Sequence, residues 1–165
     1  MTELRIGLGV DAHRFADGIP LVLAGVDFPG EPGLAGHSDG DVIAHALIDA
    51  ILGAAGMGDI GELFPSADPQ WLDASSIRLL QRSYEVVRMG GFALVNADCV
   101  LIGEQPKIAG MRVAMGARLA GAMGVDIHRV TVRATTTDGL GFTGRGEGLA
   151  AQAVALLRKG DDSSS

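Results

Sequence analysis

The sequence predicts a single α+β domain in which helices pack on one face of a mixed β-sheet. The chain has 165 residues, the length of one domain, and it contains no internal repeat and no linker. Segments with alternating apolar side chains and segments with apolar side chains at helical spacing follow one another without strict βα alternation. That order favours an α+β sheet over a doubly wound fold. We assign the domain to residues 1–159 and expect residues 160–165 to form a disordered tail.

The individual elements follow from these two periodicities and from the turn residues between them. In the first half we predict a strand at 4–11, a strand at 20–28, a Gly/Pro-rich loop at 29–38, a helix at 39–55 and a loop through 59–73. In the second half we predict a helix at 74–89, a strand at 92–103, a helix at 107–122, a strand at 129–136, a glycine-rich turn at 138–146 and a helix at 147–159.

The first predicted strand carries two candidate metal ligands at its end. Side chains alternate along a strand, so Asp11 and His13 share a face with Gly7 and Gly9, opposite the apolar residues. The two glycines are expected to leave room for a substrate to lie against the backbone.

The helix predicted at 39–55 supplies a third candidate ligand. Its apolar residues recur at helical spacing and mark a buried stripe, which consists of Ile43, Leu47, Ala50, Ile51 and Ala54. His45 falls off that stripe. Two imidazoles and one carboxylate with no thiolate fit zinc, and three protein ligands leave one position open for a reacting group. The alternative is that His13 only caps a turn at the end of its strand.

Composition and charge exclude several classes of protein. A net charge of −7 without a Lys/Arg cluster argues against nucleic acid as a partner. No stretch approaches the ~20 apolar residues of a membrane span, and the first three residues lack the basic region of a signal peptide, so we expect a cytoplasmic protein without a membrane partner. Cys99 is the only cysteine, which excludes a disulfide framework, and we interpret it as a small strand residue.

Two glycine motifs match the dinucleotide-binding fingerprint without its structural context. The motif at residues 7–12 runs into Asp17, Gly18 and Pro20 with no helix behind it. The motif at 139–144 leaves no room for a second strand to carry the ribose-binding acid. We reject both.

Polar clusters elsewhere are typical of phosphate sites. His37 and Ser38 precede the N-terminus of the helix predicted at 39–55, where free amides favour an anion, although Ser38 or Asp39 could instead simply cap that helix. The segment Thr135-Thr136-Thr137-Asp138 ends a strand ahead of a glycine turn. Its hydroxyls, carboxylate and amides suit a diphosphate with a divalent cation, and the alternative is an ordinary threonine-rich strand end. The segment 59–61 could bind sugar-like hydroxyls or close a turn.

Taken together, these motifs closely resemble the 2-C-methyl-D-erythritol 2,4-cyclodiphosphate synthase family in order and spacing over about residues 4–159. The motifs are Asp11-Ala-His13, the run from His37 to Leu47, the run from Gly58 to Pro65, Gln105-Pro-Lys107, and the run from Ala134 to Gly148. The resemblance implies an enzyme of the non-mevalonate isoprenoid route. Such an enzyme converts 4-diphosphocytidyl-2-C-methyl-D-erythritol 2-phosphate into the cyclic diphosphate plus CMP. It also implies a homotrimer with active sites between neighbouring subunits, one Zn²⁺ per site, and a second ion, Mg²⁺ or Mn²⁺, on the substrate diphosphate.

The resemblance further implies roles for the zinc ligands and the residues around them. Asp11, His13 and His45 resemble the zinc ligands, with a β-phosphate oxygen in the open position. The segment that holds the 2-phosphate would be His37 and Ser38. The segment that binds the erythritol hydroxyls would be Asp59, Ile60 and Gly61, with Phe64 to Asp68 completing that pocket.

For the nucleotide half of the substrate, the resemblance implies a second group of residues. Gly103 to Ala109, including Pro106 and Lys107, resembles the cytidine pocket. The diphosphate and second-metal site would consist of Thr135, Thr136, Thr137 and Asp138, with Phe142 and Arg145 beside it. His37 and Thr136 resemble the pair that stabilises the transition state.

The sequence departs from the family pattern at five positions. Asp138 stands where glutamate is common, which leaves room for a water between its carboxylate and the second metal. Lysines are common where this chain has Gly139 and Leu72, so charge neutralisation is weaker and the substrate KM is expected to rise. Aspartate is common at Ser66, and an aromatic residue at Val10.

Two rival functions use parts of the same sequence pattern. A zinc phosphohydrolase would use the same three ligands with water as the nucleophile, but no obvious general base accompanies Asp11 and His13. A non-catalytic nucleotide-binding trimer is the other alternative, and the intact ligand set argues against it.

Overall fold

The computed structural model describes residues 2–160 of the chain. The strands are β1 (Leu4–Ala16), β2 (Val22–Leu23), β3 (Val26–Asp27), β4 (Gly33–Leu34), β5 (Phe92–Ile102), β6 (Val130–Thr135) and β7 (Gly148–Lys159). The α-helices are α1 (Val42–Ala55), α2 (Ile60–Leu63), α3 (Ser76–Met89), α4 (Arg112–Met123) and α5 (Gly141–Gly144). Single 3-10 turns occupy Pro69–Trp71, Ala109–Met111 and Ile127–Arg129. Of the expected tail, Gly160 donates a backbone hydrogen bond to Gly91, and residues 161–165 lie outside the described residues.

Five of the strands form one mixed sheet in the order β4-β1-β7-β5-β6, and β2 and β3 form a separate hairpin. Every pairing in the large sheet is antiparallel except that of β5 with β6. The prediction of a single α+β domain with a mixed sheet is confirmed. Helix α1 packs across β1, β7 and β5, while α3 and α4 extend the helical layer toward β5 and β6.

The segment 147–159 is a strand, so the helix predicted there is wrong. Its alanines and leucines favour a helix when judged by propensity alone. In the fold they form β7, the strand between β1 and β5. Alternate residues are buried beneath the helices, namely Leu149, Ala151, Ala153, Ala155 and Leu157. Small side chains are needed here because α1 lies directly on this part of the sheet.

The glycines of β1 make room for a helix, which corrects the expectation that a substrate lies against them. A Cβ atom on Gly7 would come within 2.0 Å of the Ala50 carbonyl oxygen, and one on Gly9 within 1.8 Å of the Ala46 carbonyl oxygen. Helix α1 therefore touches the backbone of β1. The buried surface of α1 extends nearly all round the helix and is wider than the single stripe that the sequence indicated.

The other face of β1 has no cover within the described chain. Ile6, Leu8 and Val10 are 73%, 63% and 55% exposed, and Val154 on the adjoining strand β7 is 40% exposed. A contiguous apolar strip of this kind on a sheet is typical of a surface that another protein chain covers.

Strand β1 is longer than predicted, because it continues through Ala16 and pairs there with β4. The strand predicted at 20–28 is instead the β2–β3 hairpin. The buried Asp41 carboxylate stabilises the turn of this hairpin, because it accepts hydrogen bonds from the amides of Ala24 and Gly25 at 2.8 Å. Asp41 also caps α1 through Ala44 N, so the helix begins at Val42. Burial raises the pKa of Asp41 to about 6, against the opposing effect of these three amides.

Helices α3 and α4 and strands β5 and β6 lie within a few residues of their predicted bounds, apart from the 3-10 turn that precedes α4. The predicted loop through 59–73 contains α2 and one 3-10 turn. Within residues 2–160, the structure has no helix with the length and apolar character that crossing a membrane requires.

Candidate functional site

Three side chains converge where β1 meets α1. The alternation of β1 points Asp11 and His13 toward the helices, and the close contact at Gly7 and Gly9 brings α1 near enough for His45 to reach them. Asp11 Oδ2 lies 2.9 Å from His13 Nε2 and 3.1 Å from His45 Nδ1. One donor atom from each residue lies within 4.8 Å of the other two, a group that can hold a metal ion.

The imidazole of His13 is oriented by the backbone of the following loop. Its Nδ1 lies 2.6 Å from the carbonyl oxygen of Ala35, so Nδ1 carries the proton and donates it. In the neutral ring its buried Nε2 carries a lone pair and has no hydrogen-bond partner, and only the protonated ring can donate to Asp11 Oδ2, which lies 2.9 Å away. A buried nitrogen lone pair beside a carboxylate, with the opposite ring nitrogen held by a carbonyl, matches the environment of a metal-ligating histidine.

The imidazole of His45 is held from its other side. Its Nε2 lies 2.8 Å from Ser76 Oγ and 3.1 Å from Ser38 Oγ. Nδ1 is thus the nitrogen that faces Asp11. Ser76 could not be predicted from the sequence, because it follows the helix cap Ser75 and its position depends on how α3 docks against α1.

Electrostatics keep the Asp11 carboxyl ionised. Burial raises its pKa, but hydrogen bonds and charge interactions with His13 and His45 outweigh that effect and lower the pKa to about 2. The hydrogen bond with Asp11 raises the pKa of His13, against a smaller lowering by burial.

A cavity of about 320 Å³ opens in front of these three residues. Its other polar lining comes from His37, Ser38 and Ser66. Leu72, which stands where lysine is common in the family pattern, also lines it. The remaining lining is largely apolar and consists of Ile60, Gly61, Phe64, Trp71 and Leu79. The Trp71 ring packs edge-on against Phe64 at 4.7 Å between centroids. Sequence reasoning missed Trp71 and Leu79, which resemble ordinary core residues.

Two acids expected in this pocket have structural contacts. Asp59 caps α2 by accepting from Glu62 N at 2.9 Å, and Asp68 caps a 3-10 turn by accepting from Gln70 N at 3.0 Å. Neither side chain is among the residues that line the cavity.

The predicted nucleotide residues meet in a second cleft of about 180 Å³. It is lined by Gly103, Pro106, Lys107, Ala109, Thr135 and Thr136, together with Leu101, Ile108, Arg112 and Ala134. The Gln105–Pro106 peptide at the wall of this cleft is cis. Arg112 is an additional cation that the sequence analysis did not include.

The turn after β6 arranges Asp138 and its neighbours. Asp138 has φ +53°, and its carboxylate accepts from Thr136 Oγ1 at 3.3 Å. The hydroxyl of Thr137 is used within the turn, where it donates to Leu140 O at 2.6 Å. Glu104, which the sequence analysis missed, accepts from Gly139 N at 3.3 Å and adds a second carboxylate beside Asp138.

Phe142 and Arg145 lie apart from that cleft. Phe142 is 44% exposed and lines a cavity with Phe15, His13 and Glu147, among others. Arg145 forms an exposed ion pair with Glu147, with 3.1 Å between Nη2 and Oε2.

The cavity at the metal ligands and the nucleotide cleft share no lining residue within one chain. Both lie at the same end of the sheet. His13 pairs with Leu149 on β7, and Ile102, the partner of Thr135, pairs with the next residue of β7, Ala150. Strands β1 and β6 are three strand spacings apart, roughly 14 Å. One chain therefore presents two separate clefts at this end of the sheet.

Comparison with known proteins gives a consistent result. Residues 4–158 match the model of the YgbB family. The chain is 56% identical over 162 residues to 2-C-methyl-D-erythritol 2,4-cyclodiphosphate synthase from Rubrobacter xylanophilus, covering 96% of this chain and 98% of that protein. The bifunctional IspDF from Campylobacter jejuni superposes with a TM-score of 0.93 at 45% identity, covering 98% of this chain, which spans 44% of the bifunctional chain. The CDP complex of IspF from Plasmodium falciparum gives a TM-score of 0.83 at 29% identity, covering 96% and 97% of the two chains.

Proposed function

Because the chain belongs to the YgbB family, whose curated relatives are 2-C-methyl-D-erythritol 2,4-cyclodiphosphate synthases, we propose that it performs their reaction at a zinc site shared between neighbouring copies. The reaction joins the 2-phosphate of 4-diphosphocytidyl-2-C-methyl-D-erythritol 2-phosphate to the β-phosphorus of the same molecule and releases CMP. The enzyme serves non-mevalonate isoprenoid biosynthesis.

The arrangement of Asp11, His13 and His45 is the observation that carries the proposal. Two imidazole nitrogens and one carboxylate oxygen suit zinc, and the unpartnered, buried Nε2 of His13 fits a ligand atom. A zinc ion bound there would act as a Lewis acid toward the β-phosphate.

The residues of the chain position the substrate and neutralise its charge. A phosphate oxygen is already a nucleophile at neutral pH, so no protein base is required, and in-line alignment is the main task. His37 and Ser38 border the metal ligands and are suited to hold the 2-phosphate. Ile60, Gly61 and Phe64 are suited to hold the carbon skeleton. Hydrogen-bond donors at His37 and Thr136 aimed at developing charge would each contribute ~3 kcal/mol.

Cytidine and the α-phosphate would occupy the cleft that contains Pro106, Lys107 and Thr136. The P. falciparum IspF structure carries CDP, which supports this assignment of ligand class. Asp138, together with Thr135 and Thr136, would hold Mg²⁺ or Mn²⁺ on the diphosphate, with a water completing the reach of the shorter acid.

In the proposed trimer, the metal ligands and the nucleotide cleft of one active site come from two neighbouring copies. Since the metal ligands and the nucleotide cleft are about three strand spacings apart in one chain, His37 of one copy and Thr136 of a neighbour would together surround one diphosphate. The exposed strip of Ile6, Leu8 and Val10 supplies an apolar surface for that assembly.

Incubation with the diphosphocytidyl substrate tests the proposed reaction. Cyclic diphosphate and CMP should appear in equal amounts, without free phosphate. A zinc phosphohydrolase would release inorganic phosphate, and a non-catalytic nucleotide-binding protein would leave the substrate unchanged. Elemental analysis of the purified protein should give about one zinc per chain. Full activity of metal-free protein after exhaustive chelation would refute the zinc assignment.

A further inference from the structure

We propose that Ser76 and Asp39 are positioning residues that fix the ring tautomer of His45 and thereby tune the affinity of the metal site. The inference rests on the proposed function in so far as the bound metal is zinc. It is drawn from the hydrogen bonds on the side of His45 that faces away from Asp11.

Ser76 is completely buried, although its side chain is polar. Its hydroxyl donates a hydrogen bond to Asp39 Oδ1 and lies 2.8 Å from His45 Nε2. Its backbone amide donates to the second oxygen, Asp39 Oδ2, at 2.9 Å. Asp39 is in turn held by the amide of Asp41, which donates to Oδ1 at 3.1 Å. The Asp39 carboxylate thus accepts hydrogen bonds from both the amide and the hydroxyl of Ser76, the first residue of α3.

Proton counting fixes the direction of these bonds. An ionised carboxylate only accepts hydrogen bonds, so the single proton of the Ser76 hydroxyl goes to Asp39. The Ser76 oxygen can then only accept from His45, which places the imidazole proton on Nε2. In the neutral ring this leaves the lone pair on Nδ1, the atom that lies 3.1 Å from Asp11 Oδ2 on the metal side. Without a bound metal, the Asp11 carboxylate is the acceptor that competes with the Ser76 oxygen for the ring proton. The hydrogen-bonded series from the Asp39 carboxylate through the Ser76 hydroxyl to the imidazole therefore favours the tautomer in which Nδ1 of His45 is free to bind a metal.

This arrangement also explains how Ser38 can serve two roles. Its hydroxyl lies 3.1 Å from His45 Nε2, a second contact to a proton that Ser76 already accepts. Ser38 can turn toward a phosphate without leaving the His45 nitrogen unsatisfied.

Ser76→Ala isolates the effect, and Ser83→Ala is the matched control. Ser83 is equally buried, lies two turns further along α3, and donates to the Leu79 carbonyl at 2.8 Å, away from the metal ligands. Zinc affinity is measured without substrate, by competition with a chromophoric chelator, and folding is followed by circular dichroism. We expect Ser76→Ala to lower zinc affinity about 10- to 100-fold and Ser83→Ala to leave it within about threefold of the parent. Ser76→Thr, which retains the hydroxyl, should recover most of the loss.

A second measurement needs no variant. Long-range ¹H–¹⁵N NMR of the metal-free parent protein, well above the ordinary histidine pKa of about 6.5, reports which nitrogen of His45 is protonated. The Nε2–H form supports the proposal, and an Nδ1–H form or a mixture overturns it even if the variants fail to fold. Unchanged zinc affinity in folded Ser76→Ala also overturns it. A parent protein that shows the Nε2–H form but gives no cyclic product would instead count against the proposed function alone.

Discussion

Asp11 connects both imidazoles of the candidate metal site, since its Oδ2 is the atom nearest to His13 and to His45. The side chain is only a quarter exposed, so its negative charge is poorly solvated unless cations face it. The folding stability of the metal-free protein therefore depends on the protonation of the facing imidazoles, whose positive charge a bound metal cation would replace.

The pH dependence of the metal-free protein follows from the two shifted pKa values. The lowered pKa of Asp11 contributes stability that is present above 3.8 and is lost as pH falls through about 2. The raised pKa of His13 contributes stability that is fully present below 6.5 and is lost as pH rises through its higher folded value. Urea unfolding of chelator-treated protein should therefore show a decline in stability on the alkaline side of pH 6.5. In Asp11→Asn that decline should be much smaller, and an equal decline would contradict the assigned ion pair.

Removal of one ligand tests the chemistry of the metal site. His45→Ala should lower cyclisation by at least ~10³-fold, because the variant lacks a ligand whose loss displaces the β-phosphate, at about 1.4 kcal/mol per decade. Steady-state assays with unchanged circular dichroism would establish the effect. His128→Ala is the control, since His128 lies in an exposed 3-10 turn and its loss should cost almost nothing. Near-normal cyclisation by His45→Ala would show that the metal site is misassigned.

At the scale of elements, the contact between β1 and α1 governs the site. Gly9→Ala would drive a methyl group into the Ala46 carbonyl and push the strand from the helix, separating Asp11 from His45. We expect a loss of at least about 3 kcal/mol in the free energy of unfolding, measured by urea denaturation, and a weakened affinity for zinc.

Gly53→Ala provides the comparison within the same pair of elements. Gly53 is exposed in α1 and a Cβ there meets nothing within 4 Å, so alanine should stabilise the helix by up to ~1 kcal/mol. A destabilising Gly53→Ala, or a neutral Gly9→Ala, would contradict the packing described.

The sequence predicts some of these elements well and others poorly for physical reasons. Strand alternation is a local property, so it was sufficient to put Asp11 and His13 on one face. Strand β7 could not be predicted, because its alanines favour a helix in isolation and become a strand only through pairing on both sides and through contact with α1. The role of Ser76 could not be predicted for a similar reason, because its position beside His45 depends on the docking of α3 against α1.

At the scale of the whole molecule, we expect the apolar strip of Ile6, Leu8 and Val10 to mediate the proposed assembly. Light scattering should give a particle of three times 16.9 kDa. Leu8→Glu places a charge in the strip and should yield folded monomers, because Leu8 is 63% exposed in the single chain and supports no internal packing.

These monomers separate assembly from metal binding. They should retain zinc, since all three ligands come from one chain, and should lose cyclisation, since the nucleotide cleft of a neighbour is missing. An active monomer would refute the shared site. The strip itself was visible in the sequence as alternating apolar residues, but a sequence does not reveal which face of a strand its own helices cover.

The pairing of β1 with β7 also determines when the nascent chain can complete its sheet. Leu4 pairs with Arg158, 154 positions later, and the residues of β1 from Leu4 to Arg14 all have their partners near the other end of the domain. At roughly 5–20 residues per second, a ribosome needs on the order of ten seconds to deliver that partner. Until then the sheet lacks its central strand, α1 has only part of its platform, and the apolar residues of β1 are open to chaperones. The large sheet of this chain is therefore completed late in its synthesis, and the proposed trimer would assemble only from chains in which β7 has been made.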